Sequence, residues 1–147
     1  MCAANPKDSC IFCAILRGEA PATMVYQDEH VAAFMDIRPV NPGHVLVIPR
    51  VHAPHLADLP PGIGGQLFET GMRAAAALRR SGVRAEGINL FLADGEAAMQ
   101  EVFHAHLHVI PRYAEDGFGL VFAEHYYQET PRADLEAACQ RIVAVWE

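Results

Sequence analysis

With 147 residues, 52% of them hydrophobic and 20% charged, the chain has the make-up of one ordinary globular domain, long enough to bury a core without disulfide staples. Its formal net charge of -7 sets up a surface field that repels nucleic acid and anionic lipid, and no apolar run approaches the ~20 residues that cross a bilayer, so neither partner is expected. The first residues, MCAANPKDSC, lack the basic and then apolar pattern of a secretory leader, and a cytoplasmic protein with reduced thiols is expected.

Ser9 precedes CIFCAILRGE, where Ile11/Phe12, Ile15 and Leu16 fall at helical spacing and Gly18 supplies a stop. That predicts a short helix with Cys10 and Cys13 in its first turn. MVYQDEHVAAFMDI reads as a hairpin: a strand ending near Tyr26, a turn at QDEH, and an apolar strand closing at Asp36, Ile37 and Arg38. HVLVIPR, a β-branched run between Gly43 and Pro49, predicts a buried strand. IGGQLFETGMRAAAALRR repeats Ile63, Leu67, Gly71/Met72, Ala75 and Leu78 at a period near ~3.6, which predicts one long central helix. After SGVRAEG, the runs INLFLAD and VFHAHLHVIPR read as adjacent strands joined by GEAAMQE. Thr130 and Pro131 open a final amphipathic helix at about 131–146, with Leu135, Ala138/Cys139, Ile142 and Val145/Trp146 on its face. Cys139 is then a helix-core residue and Cys2 a loose terminal thiol. The fold class predicted is α+β, an antiparallel sheet with helices packed on one side, and no linker or repeat divides residues 1–147.

The segment VFHAHLHVIPR carries three histidines at alternate positions. In a strand, His104, His106 and His108 share one face, roughly 6.5–7 Å apart, while Phe103, Ala105, Leu107 and Val109 face the core. Residues serving β-structure alone would be Thr, Val or Tyr there. Two chemistries suit the trio. Neutral imidazoles can share a zinc ion with an open position for water. Alternatively, one ring attacks phosphorus and carries a covalent group; its other N–H must then be held by an acceptor that fixes the tautomer, with flanking rings stabilising the phosphate. The Cys10/Cys13 pair is a redox pair, half of a zinc site or two packed thiols.

HAHLHVI resembles the His-φ-His-φ-His-φ-φ signature (φ apolar) of the histidine triad (HIT) superfamily, and CIFCAILRGEAPATMVYQDEHVAAFMDIRPVNPGHVLVIPRVH is similar to the N-terminal half of its bacterial members. The resemblance extends over roughly residues 9–119. It implies a HIT-like α+β fold, a homodimer, and hydrolysis of a purine nucleotide ester, anhydride or phosphoramidate through a nucleotidyl-histidine intermediate. On this resemblance His106 is the nucleophile, His108 contacts the α-phosphate and His104 supports the array. Asp36 holds the ribose hydroxyls, Phe12, Ile15, Phe34 and Ile37 enclose the base, His44 lies close to the triad, and Gln100 belongs with it to the nucleotide-binding set. Some members hold a structural zinc, which would fall on Cys10, Cys13, His52 and His104. Family members most often carry Gly-Gln-Ser or Gly-Gln-Thr before the triad, where this chain has Met99, Gln100 and Glu101, and they usually place an amide side chain where this chain has Ala93. Three other readings stay open at this point: a nucleotide- and zinc-binding module with little turnover, a phosphorylase-type nucleotidyltransferase, and a zinc hydrolase using all three histidines.

Overall fold

The computed structural model describes residues 9–146, so Cys2 lies outside the described residues. Contacts divide the chain into two compact units, one through Asp116 and one from Gly117 on. The first unit holds helix α1 (Ile11–Leu16), strands β1 (Met24–Gln27), β2 (Val31–Met35) and β3 (Val45–Pro49), the long helix α2 (Ile63–Arg80), and strands β4 (Gly87–Leu92) and β5 (Leu107–Arg112). The strands form one antiparallel sheet in the order β1-β2-β3-β5-β4. The α+β class and the long helix agree with the pattern read from the chain.

Local chemistry explains the elements. The β1–β2 turn is closed by Asp28, whose Oδ1 accepts the N–H groups of His30 and Val31 at 2.8 Å each. Helix α1 is capped by Cys10 rather than Ser9: the Cys10 sulfur accepts the Cys13 N–H at 3.5 Å. Its far end stops at Gly18, in the left-handed region.

Helices lie on both faces of the sheet, not on one. Val31, Ala33, Val45, Val47, Leu107 and Val109 pack with Leu67 and Leu78 of α2. The alternate residues Ala32, Phe34, Leu46 and Ile48 pack instead with Cys10, Phe12 and Cys13 of α1. Every residue of β3 is buried, as a strand covered on both faces requires. Helix α2 approaches closely at Gly71, where a Cβ would stand 2.6 Å from Leu107 Cδ2.

Gly43 introduces β3 with φ +99°, and a Cβ there would meet Val83 Cγ1 at 2.8 Å and Leu78 Cδ2 at 3.1 Å. Gly43→Ala therefore combines backbone strain with a clash, and urea unfolding should show a loss of about 2–4 kcal/mol. A change below about 0.5 kcal/mol would mean that the turn relaxes freely.

The triad segment departs from the strand expected of it. Strand β5 begins only at Leu107, so His104 sits in a bend and His106 in the short stretch between that bend and the strand. The cause is a tight turn: the His104 N–H donates to the Val102 carbonyl two residues back, at 2.9 Å. Alternation is broken there, and Phe103, expected in the core, is 44% exposed and meets the His55 ring edge-on at 5.7 Å.

In the second unit, helix α3 (Arg132–Val143) occupies the expected place but none of its residues is buried. Cys139 is exposed, not a core residue, and Leu135, Ile142, Val145 and Trp146 are exposed as well. Among the described residues no helix is long and apolar enough to cross a membrane.

Candidate active site and metal centre

Strand β5 and the loop before it place the histidines on the α1 face of the sheet, since Leu107 and Val109 point to α2. His106 is 5% exposed, with its ring edge-on to Phe12 at 5.2 Å. Its Nδ1–H donates to the carbonyl of His104 at 2.8 Å. A carbonyl can only accept, so in the neutral ring Nε2 keeps its lone pair. Burial lowers the His106 pKa below the ordinary histidine value, partly opposed by the bond to His104 and by the fields of Asp36 and Glu101. The ring is thus an oriented, uncharged base at neutral pH.

His108 stands beside it, ring centroids 4.8 Å apart, closer than strand alternation alone would set them. Its Nδ1 is 2.9 Å from Nε2 of the buried His44. The Val40 N–H donates to His44 Nδ1 at 3.2 Å, so His44 carries its proton on Nε2 and donates to His108. His108 Nδ1 is then an acceptor, and its own proton sits on Nε2, ready to donate. Asp36 Oδ2 lies 3.5 Å from His44 Nδ1. Asp36, His44 and His108 gather within metal-binding reach of one another, but the 2.9 Å His–His contact is a hydrogen bond between the rings rather than two donors converging on an ion.

Burial, followed by neighbouring histidines, lowers the His108 pKa to about 4, and burial lowers that of His44. The unfolded chain therefore binds protons that the folded site refuses. Stability should be constant above pH ~6.5 and fall as pH drops from ~6.5 toward 4, with a slope of at most about 1.4 kcal/mol per pH unit per histidine and less for the part-exposed His108. Urea unfolding at pH 7.5, 6.0 and 5.0 checks this. The loss should shrink in His108→Gln; an equal loss in that variant would assign it elsewhere.

The remaining triad member does different work. His104 is fully buried; its Nε2–H donates to the Pro49 carbonyl at 2.8 Å, turning Nδ1 toward Cys10 Sγ (3.5 Å) and Cys13 Sγ (3.6 Å). Cys13 Sγ is also 3.3 Å from His52 Nδ1. The four donor atoms all lie within 4.8 Å of one another. In a tetrahedral zinc site with Zn–S of about 2.3 Å and Zn–N of about 2.05 Å, a sulfur–nitrogen edge is about 3.6 Å. The set matches zinc in donor type and spacing. Two thiolates would neutralise a dication, and the Pro49 carbonyl fixes the His104 tautomer from outside. With His104 turned to the cysteines and His106 Nδ1 on a carbonyl, the three triad rings do not converge as ligands of one ion.

Other sequence-predicted residues fall into place unevenly. Phe12 and Phe34 are buried against each other, edge-on at 5.6 Å, and Ile15 packs on the same cluster, whereas Ile37 is 89% exposed. Asp36 Oδ1 accepts the Arg38 N–H at 2.8 Å, leaving Oδ2 toward His44. Gln100 is committed to the loop: its Oε1 accepts the Gly95 N–H at 2.7 Å, and its Nε2–H groups donate to the carbonyls of Pro54 (2.7 Å) and Val102 (3.1 Å). Ala93 is buried, and Glu101 turns outward to pair with Arg38 at 3.2 Å.

Two groupings escaped sequence reasoning. Asn41, buried in the loop before His44, donates to the Pro111 carbonyl (2.9 Å) and to Asp116 (2.8 Å), which also pairs with Arg112; this ties the His44 loop to the end of β5. His55 Nδ1 lies 3.0 Å from Asp94 Oδ1, fastening the loop before α2 to the end of β4. The dense turn residues of PVNPGH were the one hint of the first.

A family model described as the HIT domain matches residues 17–115. The chain belongs to the HIT family. This HIT chain is 43% identical over 119 residues to the protein Hit of Bacillus subtilis, covering 80% of this chain and 81% of that one. It is 34% identical over 111 residues to an adenylylsulfatase, HINT3, of Arabidopsis thaliana, covering 75% of this chain and 55% of the other. Among solved structures, a HIT family protein from Bacillus anthracis is 41% identical with a TM-score of 0.85, over 95% of this chain and 99% of that one. A zinc-bound histidine triad family protein from Mycobacterium smegmatis is 40% identical with a TM-score of 0.73, over the same shares. The family match starts after α1, so Cys10 and Cys13 lie outside it and their place beside His104 rests on the structure.

Proposed function

We propose that this HIT protein is a nucleotide-processing hydrolase in which His106 is the nucleophile. The single observation behind this reading is the 2.8 Å bond from His106 Nδ1–H to the His104 carbonyl, which leaves Nε2 as a fixed lone pair. Nε2 attacks the α-phosphorus of a purine nucleotide phosphoramidate, ester or anhydride. As the N–P bond forms, the bond to the leaving group breaks, and that group departs with the bonding pair and takes a proton from solvent. Water then displaces His106 and releases the nucleoside monophosphate. Splitting one displacement into two is the contribution of a ring nucleophile. His108 Nε2–H donates to a phosphate oxygen as charge develops, positioned by the His44 Nε2–H that donates to its Nδ1.

Cys10, Cys13, His52 and His104 would hold a zinc ion, which stiffens the loop bearing His106 and supplies no chemistry. The zinc-bound Mycobacterium smegmatis relative supports this reading, as the adenylylsulfatase relative supports a nucleotide substrate. The protein works as a homodimer in the cytoplasm. Incubating it with an adenosine 5′-phosphoramidate and chromatographing the products tests the activity: AMP and free amine should appear in equal amounts. Tight nucleotide binding without product would favour the binding module, and a strict requirement for inorganic phosphate would favour the phosphorylase.

A further inference from the structure

We infer that Cys10 is a site of oxidative modification: hydrogen peroxide reaching it converts Cys10 and Cys13 to a disulfide and expels the zinc ion they hold. The inference rests on the zinc reading of Cys10, Cys13, His52 and His104 given above and is independent of the nucleotide chemistry.

The carrying observation is an opening onto one of the two sulfur residues. Cys10 and His52 both line a surface cleft of about 340 Å³, many times the ~30 Å³ that a water molecule occupies in the liquid. Cys13 does not line it, and His104 is fully buried. A zinc site enclosed on every side shields its thiolates; this one is bordered by a space that admits a molecule as small as peroxide. Cys10 is therefore the sulfur attacked first.

The two sulfurs are also placed to react with each other. Cys10 Sγ and Cys13 Sγ stand 3.5 and 3.6 Å from the same His104 Nδ1 and within 4.8 Å of one another. Cys10 caps α1 in extended backbone, with φ -81° and ψ 118°, and Cys13 follows in the first turn. Both belong to one short segment, so joining them needs side-chain rotation there and no movement of the sheet. The CxxC spacing, readable as a redox pair or as half of a zinc site, serves as both.

The electrons come from sulfur, because zinc has no accessible redox change. As metal ligands both cysteines are thiolates, the nucleophilic form. Cys10 Sγ attacks one peroxide oxygen: the S–O bond forms, the O–O bond breaks, and hydroxide leaves with the bonding pair and takes a proton from solvent. Cys13 Sγ then attacks Cys10 Sγ; the S–S bond forms, the S–O bond breaks, and a second hydroxide leaves and is protonated. The thiolates lose two electrons, peroxide gains them, and two waters result. The ion, left with His52 and His104 alone, departs. Oxidation thereby reaches the loop in which the His104 carbonyl holds the His106 ring.

The test takes zinc-loaded protein as wild type and as Cys2→Ser/Cys139→Ser, which keeps Cys10 and Cys13 as its only thiols. Each receives one equivalent of hydrogen peroxide. A colorimetric zinc indicator too weak to strip the untreated protein reports release, non-reducing peptide mapping reports the disulfide, and dimedone in a parallel sample traps sulfenic acid. About one zinc ion should leave per peroxide consumed in the double variant, with a Cys10–Cys13 disulfide formed and dimedone on Cys10 rather than Cys13. Dithiothreitol and added zinc should restore the metal content. Zinc retained in the double variant after peroxide is consumed, or sulfenic acid trapped on Cys13 in place of Cys10, overturns this inference and leaves the zinc site standing. Protein that binds no zinc on reconstitution removes the zinc reading and this inference with it.

Discussion

His106→Ala is expected to lower turnover of an adenosine phosphoramidate on the order of 10⁴-fold or more while leaving the fold intact. Removing a nucleophile leaves only the positioning and electrostatic contributions of the rest of the site, and those act weakly on a direct attack by water. Steady-state kinetics with circular dichroism as a folding control measure this. His106 contacts Phe12 edge-on and bonds one carbonyl, so truncation leaves a small void beneath α1 without stranding a charge. His108→Ala should cost less, about 10²–10³-fold, because it removes one donor to developing charge rather than the attacking atom. Equal losses in the two variants would put the covalent step elsewhere.

Cys13→Ala should have the largest effect on stability. Its sulfur lies within 3.6 Å of both His52 and His104, so it joins α1 to the loops after β3 and before β5. Losing one of four ligands typically abolishes a structural zinc site, and metal-binding free energy is folding free energy where the site does not persist in the unfolded chain. We expect zinc content to drop from one per chain to near zero and the melting temperature to fall by roughly 10 °C, equivalent to about 3 kcal/mol for a domain of this size. Turnover should fall as well, through positioning: the His104 carbonyl holds the His106 tautomer. Full activity and an unchanged melting temperature in the metal-free variant would sever that link.

Much of this was legible from residue order, for identifiable reasons. A period near ~3.6 marked α2, which buries one stripe, while turn residues bounded the β1–β2 hairpin and the β-branched run of β3. The unbroken apolar run of β3 also held the signal that both its faces are covered, which the expectation of helices on one side passed over. The donor set Cys10, Cys13, His52 and His104 followed from the family resemblance, and the structure brings all four together. The turn at 102–104 was not legible. It exists because His104 is drawn toward α1 and the Pro49 carbonyl, contacts made across 55 residues and more. For the same reason Phe103 was assigned to the core, and the Asn41–Asp116 link, spanning 75 residues, had no local mark. Cys139 failed differently: the periodicity of α3 is real, but amphipathic spacing says which residues share a face and not whether that face is covered.

Rapid-quench intact-mass analysis of wild-type protein mixed with an adenosine 5′-phosphoramidate, in chelator and followed by peptide mapping, decides whether His106 carries the reaction. An added adenylyl group localised to His106, absent from His106→Ala and formed at an unchanged rate over the seconds before metal is lost, is the expected outcome. Turnover with no adduct at any quench time, or an adduct on another side chain, would contradict it.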